Sequence, residues 1–193
     1  MGEFFKREVF RPFATLMVPG VIALLPYAIQ LLYTYPGVQT FAQANAGASL
    51  VIGIIFALAA GLIIEDAGAK IEVAWDNKLD KKKADVRKAG EHTDVWRRYL
   101  ALTFKDDPVG QSYLRTILIR LKFELGMVVA IPVSWAGFLW LHLTIEMWAD
   151  GSFLIASVLV AGVWVYLLYE SYDSACTLGT TRKLLVDRYE PQT

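Results

Sequence analysis

The sequence predicts an all-α integral membrane protein with four transmembrane helices and a cytoplasmic helical stalk that extends the second and third. Three observations predict it. Residues 12–64 form a run of 53 positions without one Asp, Glu, Lys or Arg. The chain is 55% hydrophobic and only 20% charged, with a mean hydropathy of +0.41, whereas a soluble domain usually carries about 25% charge. All nineteen basic residues fall in three segments, 6–11, 70–122 and 182–188. A water-soluble core does not accommodate such an uncharged run, so the predicted solvent is a bilayer.

The spans follow in order. Residues 13–33 carry no charge, and 34–45 hold the turn formers Pro36, Gly37 and Asn45. Residues 46–64 are the second uncharged stretch. Residues 125–145 are the third, with His142 near its end, and 152–169 the fourth, opened by Asp150-Gly151. Each is close to the ~20 residues that a helix needs to cross ~30 Å of hydrocarbon. Backbone groups facing lipid must bond within their own segment, so all four are predicted helical. Ala42-Gln43-Ala44 has the form of a cleavage site. The apolar stretch before it is too long for a signal peptide and a second span follows at once, so the first span is expected to be retained.

Charge sets the orientation. Lys6, Arg7 and Arg11 precede the first span, thirteen Lys and Arg lie between Lys70 and Lys122, and Arg182, Lys183 and Arg188 lie in the tail. The segments 34–45 and 146–151 have none, and the second carries Glu146 and Asp150. The positive-inside rule then puts both termini, the insertion 65–122 and the tail 173–193 in the cytoplasm of a bacterial inner membrane. Tyr33, Tyr35, Trp140 and Trp148 mark the outer interface, and Tyr166, Tyr169 and Tyr172 the inner one. With neither repeat nor linker, residues 1–193 are read as one membrane domain.

The second span has no stop signal. Ile64, Gly68, Ile71, Trp75 and Leu79 continue at helical spacing, which predicts a helix to about residue 88 with Gly90 as its C-terminal cap. A short helix follows Thr93, a turn is expected at 106–110, and Ser112 is placed to cap a helix running into the third span. Residues 78–98 carry eight basic side chains, Lys78, Lys81, Lys82, Lys83, Arg87, Lys88, Arg97 and Arg98, against Asp80, Asp85, Glu91 and Asp94. That surface reads as a solvated helical face with ion pairs or, more sharply, as a contact for anionic lipid or a cytosolic partner through Lys81, Lys82, Lys83, Arg87, Lys88, Arg97 and Arg98.

Two further patterns are candidates for function. Gly53, Ala57 and Gly61 stand four apart on the second span, a spacing that lets helix backbones approach and suits bundle packing or oligomer formation. Glu65, Asp66, Lys70, Arg120, Glu124 and Glu170 all lie at the inner boundary, where they are expected to form structural salt bridges, the alternative being a pore mouth, ion site or catalytic cluster. Net charge is zero, which argues against nucleic acid. Cys176 is the only cysteine and His92 and His142 are the only histidines, so no metal, no cofactor and no catalytic residue is predicted.

Asp66-Ala67-Gly68-Ala69-Lys70, followed by Asp76 and Asp80, faintly resembles the metal-binding motif of the CDP-alcohol phosphatidyltransferases over about 15 residues. It departs from that motif in having one aspartate before the glycine where the family has two. Its Ala-Lys replaces Ala-Arg, its second glycine is missing, and four spans stand where the family has six. Arg87 to His92 matches the Arg-x4-His spacing of HEPN ribonucleases, with Lys88 in place of the usual polar neighbour. In size and build, though by no diagnostic motif, the chain resembles small four-helix membrane proteins of bacterial anti-phage systems. The expected function is therefore non-enzymatic. It is that of a homo-oligomeric membrane protein in contact with membrane lipid, whose residues 65–122 sense or recruit a cytosolic partner, as a pore-forming or sensor component of a defence or stress system. The alternatives are a small channel or transporter gated at Glu65, Asp66, Arg120 and Glu124, and a membrane-embedded lipid- or phosphate-transferring enzyme.

Overall fold

A computed structural model describes residues 2–84, 99, 109–145 and 149–189. Its helices are α1 (Gly2–Thr34), α2 (Pro36–Ala44), α3 (Ala46–Ala84), α4 (Val109–Ile145) and α5 (Asp150–Tyr189), with no strand among the described residues. Every helix except α2 includes a segment long and apolar enough to cross a membrane. The four long helices alternate in direction along the chain, so α1 and α4 run parallel while α3 and α5 return.

The helices differ from the sequence expectation in three places. Residues 34–45 hold the helix α2 where only turn formers were expected. Pro36 stands in its first turn, where a missing N–H removes no hydrogen bond. The Thr40 hydroxyl donates to Pro36 O at 2.9 Å, and Asn45 closes the helix by donating its backbone N–H to Phe41 O at 2.9 Å. Secondly, α4 begins at Val109, inside the expected turn and before Ser112. Thirdly, the tail is helical as far as Tyr189, so three helices, not two, continue past the apolar spans.

α4 is the hub, packed against α1, α3 and α5. Its buried residues Leu114, Ile117, Leu121, Leu125 and Val128 keep to one stripe, and farther along the buried Ala130, Ser134 and Leu141 lie on the opposite side of the helix. Against α1 the fit is proline on glycine. Cβ atoms built on Gly126 and Gly137 would lie 3.1 Å from Pro19 Cγ and 2.6 Å from Pro26 Cγ, so these rings occupy space that any side chain would fill. Against α3, α1 makes backbone contact. A Cβ on Gly20 would overlap Ala57 O and come within 2.9 Å of Gly61 N, and one on Gly61 would overlap Leu16 O.

α5 changes character along its length. From Asp150 to Glu170 no residue is buried, while Ser171, Ser174, Ala175, Leu178, Arg182, Leu185 and Val186 all are. Of these, Ala175, Leu178 and Leu185 join Leu114, Ile117, Leu121 and Leu125 of α4 in an apolar core flanked by Ile71 and Trp75 of α3. Away from this core, large apolar side chains such as Leu50, Phe56, Ile63, Leu143, Leu154 and Leu159 are mostly exposed. This fits hydrocarbon as the surrounding medium.

One polar contact ties α5 to α4 within the apolar zone. Pro132 has no N–H to give Val128 O four residues earlier, and Trp164 Nε1 donates to that carbonyl at 2.9 Å. Trp164→Phe should lose about 1 kcal/mol in a detergent unfolding titration, the scale of one such bond in an apolar setting. Adding Pro132→Ala supplies the missing donor and should recover part of the loss. Equal losses with and without it would remove this explanation.

Candidate functional site

The ionisable residues collect where α3, α4 and α5 leave their apolar spans. On α4, Arg120 and Glu124 are one turn apart, and Arg120 Nε meets Glu124 Oε1 at 2.7 Å. The Glu124 side chain is only 6% exposed. A carboxylate so enclosed is tolerated only when its oxygens are occupied. Its second oxygen accepts a hydrogen bond from Ser174 of α5 at 2.8 Å. Arg120 also reaches across to Glu170 through Nη2. One guanidinium thus serves two carboxylates and joins α4 to α5, a task suited to its forked donors.

A second set joins α3 to α4. Glu65 Oε1 and Lys122 Nζ are 2.6 Å apart, with side chains 37% and 46% exposed. They border a shallow cleft, open to the outside, with room for about one water. Thr15 and Leu16 of α1, Gly61 and Ile64 of α3 and Gly126 of α4 form its walls. A third set, Asp66 and Lys70 at 3.1 Å, stays within one helix and is largely exposed. Pairs of that kind contribute ~0–1 kcal/mol.

The six boundary residues therefore lie in three ion-paired sets, two of them spanning different helix interfaces. Lys122 and Ser174 complete two of these sets and were absent from the sequence-derived cluster. Nothing local distinguishes Lys122 from the other cations, since its partner lies 57 residues away. Arg182 was also missed. It is buried where α5 continues past its apolar span, with the negative charges of Asp76 and Glu72 of α3 acting on it. Its signal was legible: one cation in an otherwise apolar stripe at helical spacing.

Of the small-residue series, Ala57 and Gly61 are used within the chain against α1, and Gly53 meets open space. The backbone of Lys81, Lys82 and Lys83 continues α3, while Arg87, Lys88, Arg97 and Arg98 lie outside the described residues. At the opposite end of the bundle, Phe153 of α5 stacks on Trp135 and on His142 of α4, with centroids 5.2 and 4.3 Å apart. His142 Nε2 lies 3.4 Å from Asp150. Among the described residues no three His, Cys, Asp or Glu side chains are grouped as metal ligands.

No family model, curated protein or solved structure matches this chain.

Proposed function

We propose that this chain is a non-enzymatic, homo-oligomeric inner-membrane protein. Its cytoplasmic stalk senses or recruits a cytosolic partner, in the setting of a bacterial defence or stress system. One observation carries the reading. The stalk halves of α3, α4 and α5 share an apolar core of their own, distinct from the cluster of Ala23, Ile64 and Ala130 in the bundle. A structured projection of this kind presents a fixed surface to a protein, where loose connecting loops would not. The positive-inside rule assigns the stalk, with both termini, to the cytoplasm.

Self-association is supported by α5, whose residues 150–170 include no buried position, and by Gly53 and Gly162, where an added Cβ would meet nothing. The gate alternative draws less support, because the ion-paired sets lie at separate helix interfaces of one chain.

Native mass spectrometry of the full chain in mild detergent should give oligomers. A cytosolic protein should co-purify with the wild type and be lost when Lys81, Lys82 and Lys83 are each changed to Glu, with the oligomer unchanged. Monomers alone, or co-purification indifferent to the charge reversal, would refute the corresponding half of the proposal. Lys82→Cys should react with a membrane-impermeant maleimide only after the cells are permeabilised, and reaction in intact cells would reverse the topology.

A further inference from the structure

We infer that α2 is an interfacial helix, lying flat in the leaflet opposite the charged stalk, with Phe41 in the acyl chains and Gln39, Thr40 and Gln43 turned to water. This inference rests on the membrane reading above and adds a lipid-contacting surface outside the four spans.

Orientation is the first support. α1 and α3 cross at backbone contact, where Gly20 meets Ala57. From Gly20 to Thr34, the end of α1, is about 21 Å at ~1.5 Å per residue. From Ala57 back to Ala46, the start of α3, is about 17 Å on the same measure. The two helix ends thus differ in height by only about 5 Å, whereas the nine residues of α2 are about 14 Å long. A helix of that length between ends of similar height lies across them. Its attachments leave no slack. Tyr35 donates its N–H to Leu31 O of α1 at 3.1 Å and accepts from the Gln39 N–H of α2 at 3.3 Å. Asn45 donates to Phe41 O of α2 at 2.9 Å and accepts from the Ser49 N–H of α3 at 3.0 Å.

Depth is the second support. From Phe13, where the first span begins, to Thr34 is about 32 Å, and from Glu65 back to Ala46 is about 29 Å. The hydrocarbon layer is ~30 Å thick. With the charged residues at one of its edges, α2 arrives at the other.

The side chains are the third. Val38, Phe41 and Ala42 recur on one face of α2, and Gln39, Thr40 and Gln43 take the opposite one. Among the described helices α2 touches only α1 and α3, and Val38 and Ala42 are its half-buried residues. The apolar face is therefore turned toward the span ends and the hydrocarbon, and the polar face away from both. Phe41 on the apolar face remains 50% exposed, and the neighbouring Tyr33 and Tyr35 are 67% and 57% exposed, as suits side chains at a lipid interface. No residue of α2 is charged, so its hold on the leaflet is apolar and needs no anionic lipid. Tied to a span at each end, α2 fixes how deep the α1–α3 hairpin sits.

The test uses the full-length chain carrying Cys176→Ser, reconstituted in phosphatidylcholine vesicles, with a nitroxide attached at Thr40→Cys, Phe41→Cys or Gln43→Cys. All three positions are exposed, so the labels leave the packing intact. Power-saturation EPR compares collisions with oxygen, which enters lipid, and with a water-soluble nickel chelate. The oxygen-to-nickel ratio at position 41 should exceed that at 40 and 43 several-fold. The contrast should persist when half of the phosphatidylcholine is replaced by phosphatidylglycerol. Equal nickel contact at all three positions would put α2 in water and overturn the inference. So would a label at 41 shielded from both reagents, which would mean that protein covers this face, or a contrast that appears only with phosphatidylglycerol. Carbonate extraction of cell membranes distinguishes the two levels. A chain released into the supernatant refutes the membrane reading itself, whereas a chain retained in the pellet with uniform accessibility along α2 refutes only the interfacial helix.

Discussion

Gly20→Ala is expected to force α1 and α3 apart and to destabilise the bundle by about 3 kcal/mol, the upper part of the ~1–3 kcal/mol usual for overpacking. The added methyl would overlap Ala57 O and press on Gly61 N, which are backbone atoms of a neighbouring helix. A flexible side chain could turn aside, but two helix backbones in contact can only separate. Separation would strip contacts along their whole crossing. Gly61→Ala should do the same from the other side, because its methyl would overlap Leu16 O. Gly53→Ala is the internal control: it lies on the same small-residue series but faces open space, so the unfolding midpoint should not move. Unfolding in mixed detergent micelles, followed by circular dichroism, measures all three. A Gly20→Ala protein as stable as the wild type would mean that α1 and α3 do not cross at backbone contact. If Gly53→Ala lowers the oligomer yield while leaving chain stability intact, the outward part of the series serves assembly.

Arg120→Ala is the second large effect. It removes the cation shared by Glu124 and Glu170 and leaves Glu124 enclosed at 6% exposure, with only Ser174 as a partner. Breaking a buried pair typically costs ~3–5 kcal/mol. Because Arg120 is itself 56% exposed, water replaces part of what is lost, and about 3 kcal/mol is expected. Arg120→Lys should recover only part of this, since one ammonium cannot reach two carboxylates in the fork geometry of a guanidinium. Pairing Arg120→Ala with Glu124→Leu should recover more, because the stranded charge is then gone and an apolar group of similar volume fills its place. The same unfolding titration reads the series. If the double variant is no better than Arg120→Ala alone, the stranded carboxylate is not the source of the loss.

The apolar spans were legible because they follow from composition and length alone. The continuation of α3 was equally legible: Ile64, Gly68, Ile71 and Trp75 step at helical spacing, and in the structure Ile64 and Gly68 are buried while Ile71 and Trp75 border the apolar core of α4 and α5. The helical tail carried a comparable signal in Ala175, Leu178, Arg182, Leu185 and Val186. It was passed over because a cationic end after a last span reads equally well as a solvated tail. Helix α2 was hidden by Pro36 and Gly37, which favour a turn but are also accepted at a helix start. The structure gathers the boundary residues where α3, α4 and α5 leave their apolar spans. The pairs within one helix, Asp66 with Lys70 and Arg120 with Glu124, stand four apart and were readable, whereas Glu65 with Lys122 and Arg120 with Glu170 were not, because a partner on another helix depends on how each helix is rotated about its axis, and rotation is fixed by neighbours.

The sequence by itself determined the number of apolar helices, their order and the depth at which charge begins. These depend on one-dimensional quantities: how many residues a span needs, and where a charged side chain first becomes affordable in hydrocarbon. Only the tertiary structure decided which glycines meet backbone, that Pro19 and Pro26 seat against Gly126 and Gly137, that Trp164 answers the carbonyl freed by Pro132, and that Glu65 pairs with Lys122 while Arg120 reaches Glu170. Those outcomes are set by contacts of a few ångströms between helices, which no periodicity along one chain encodes.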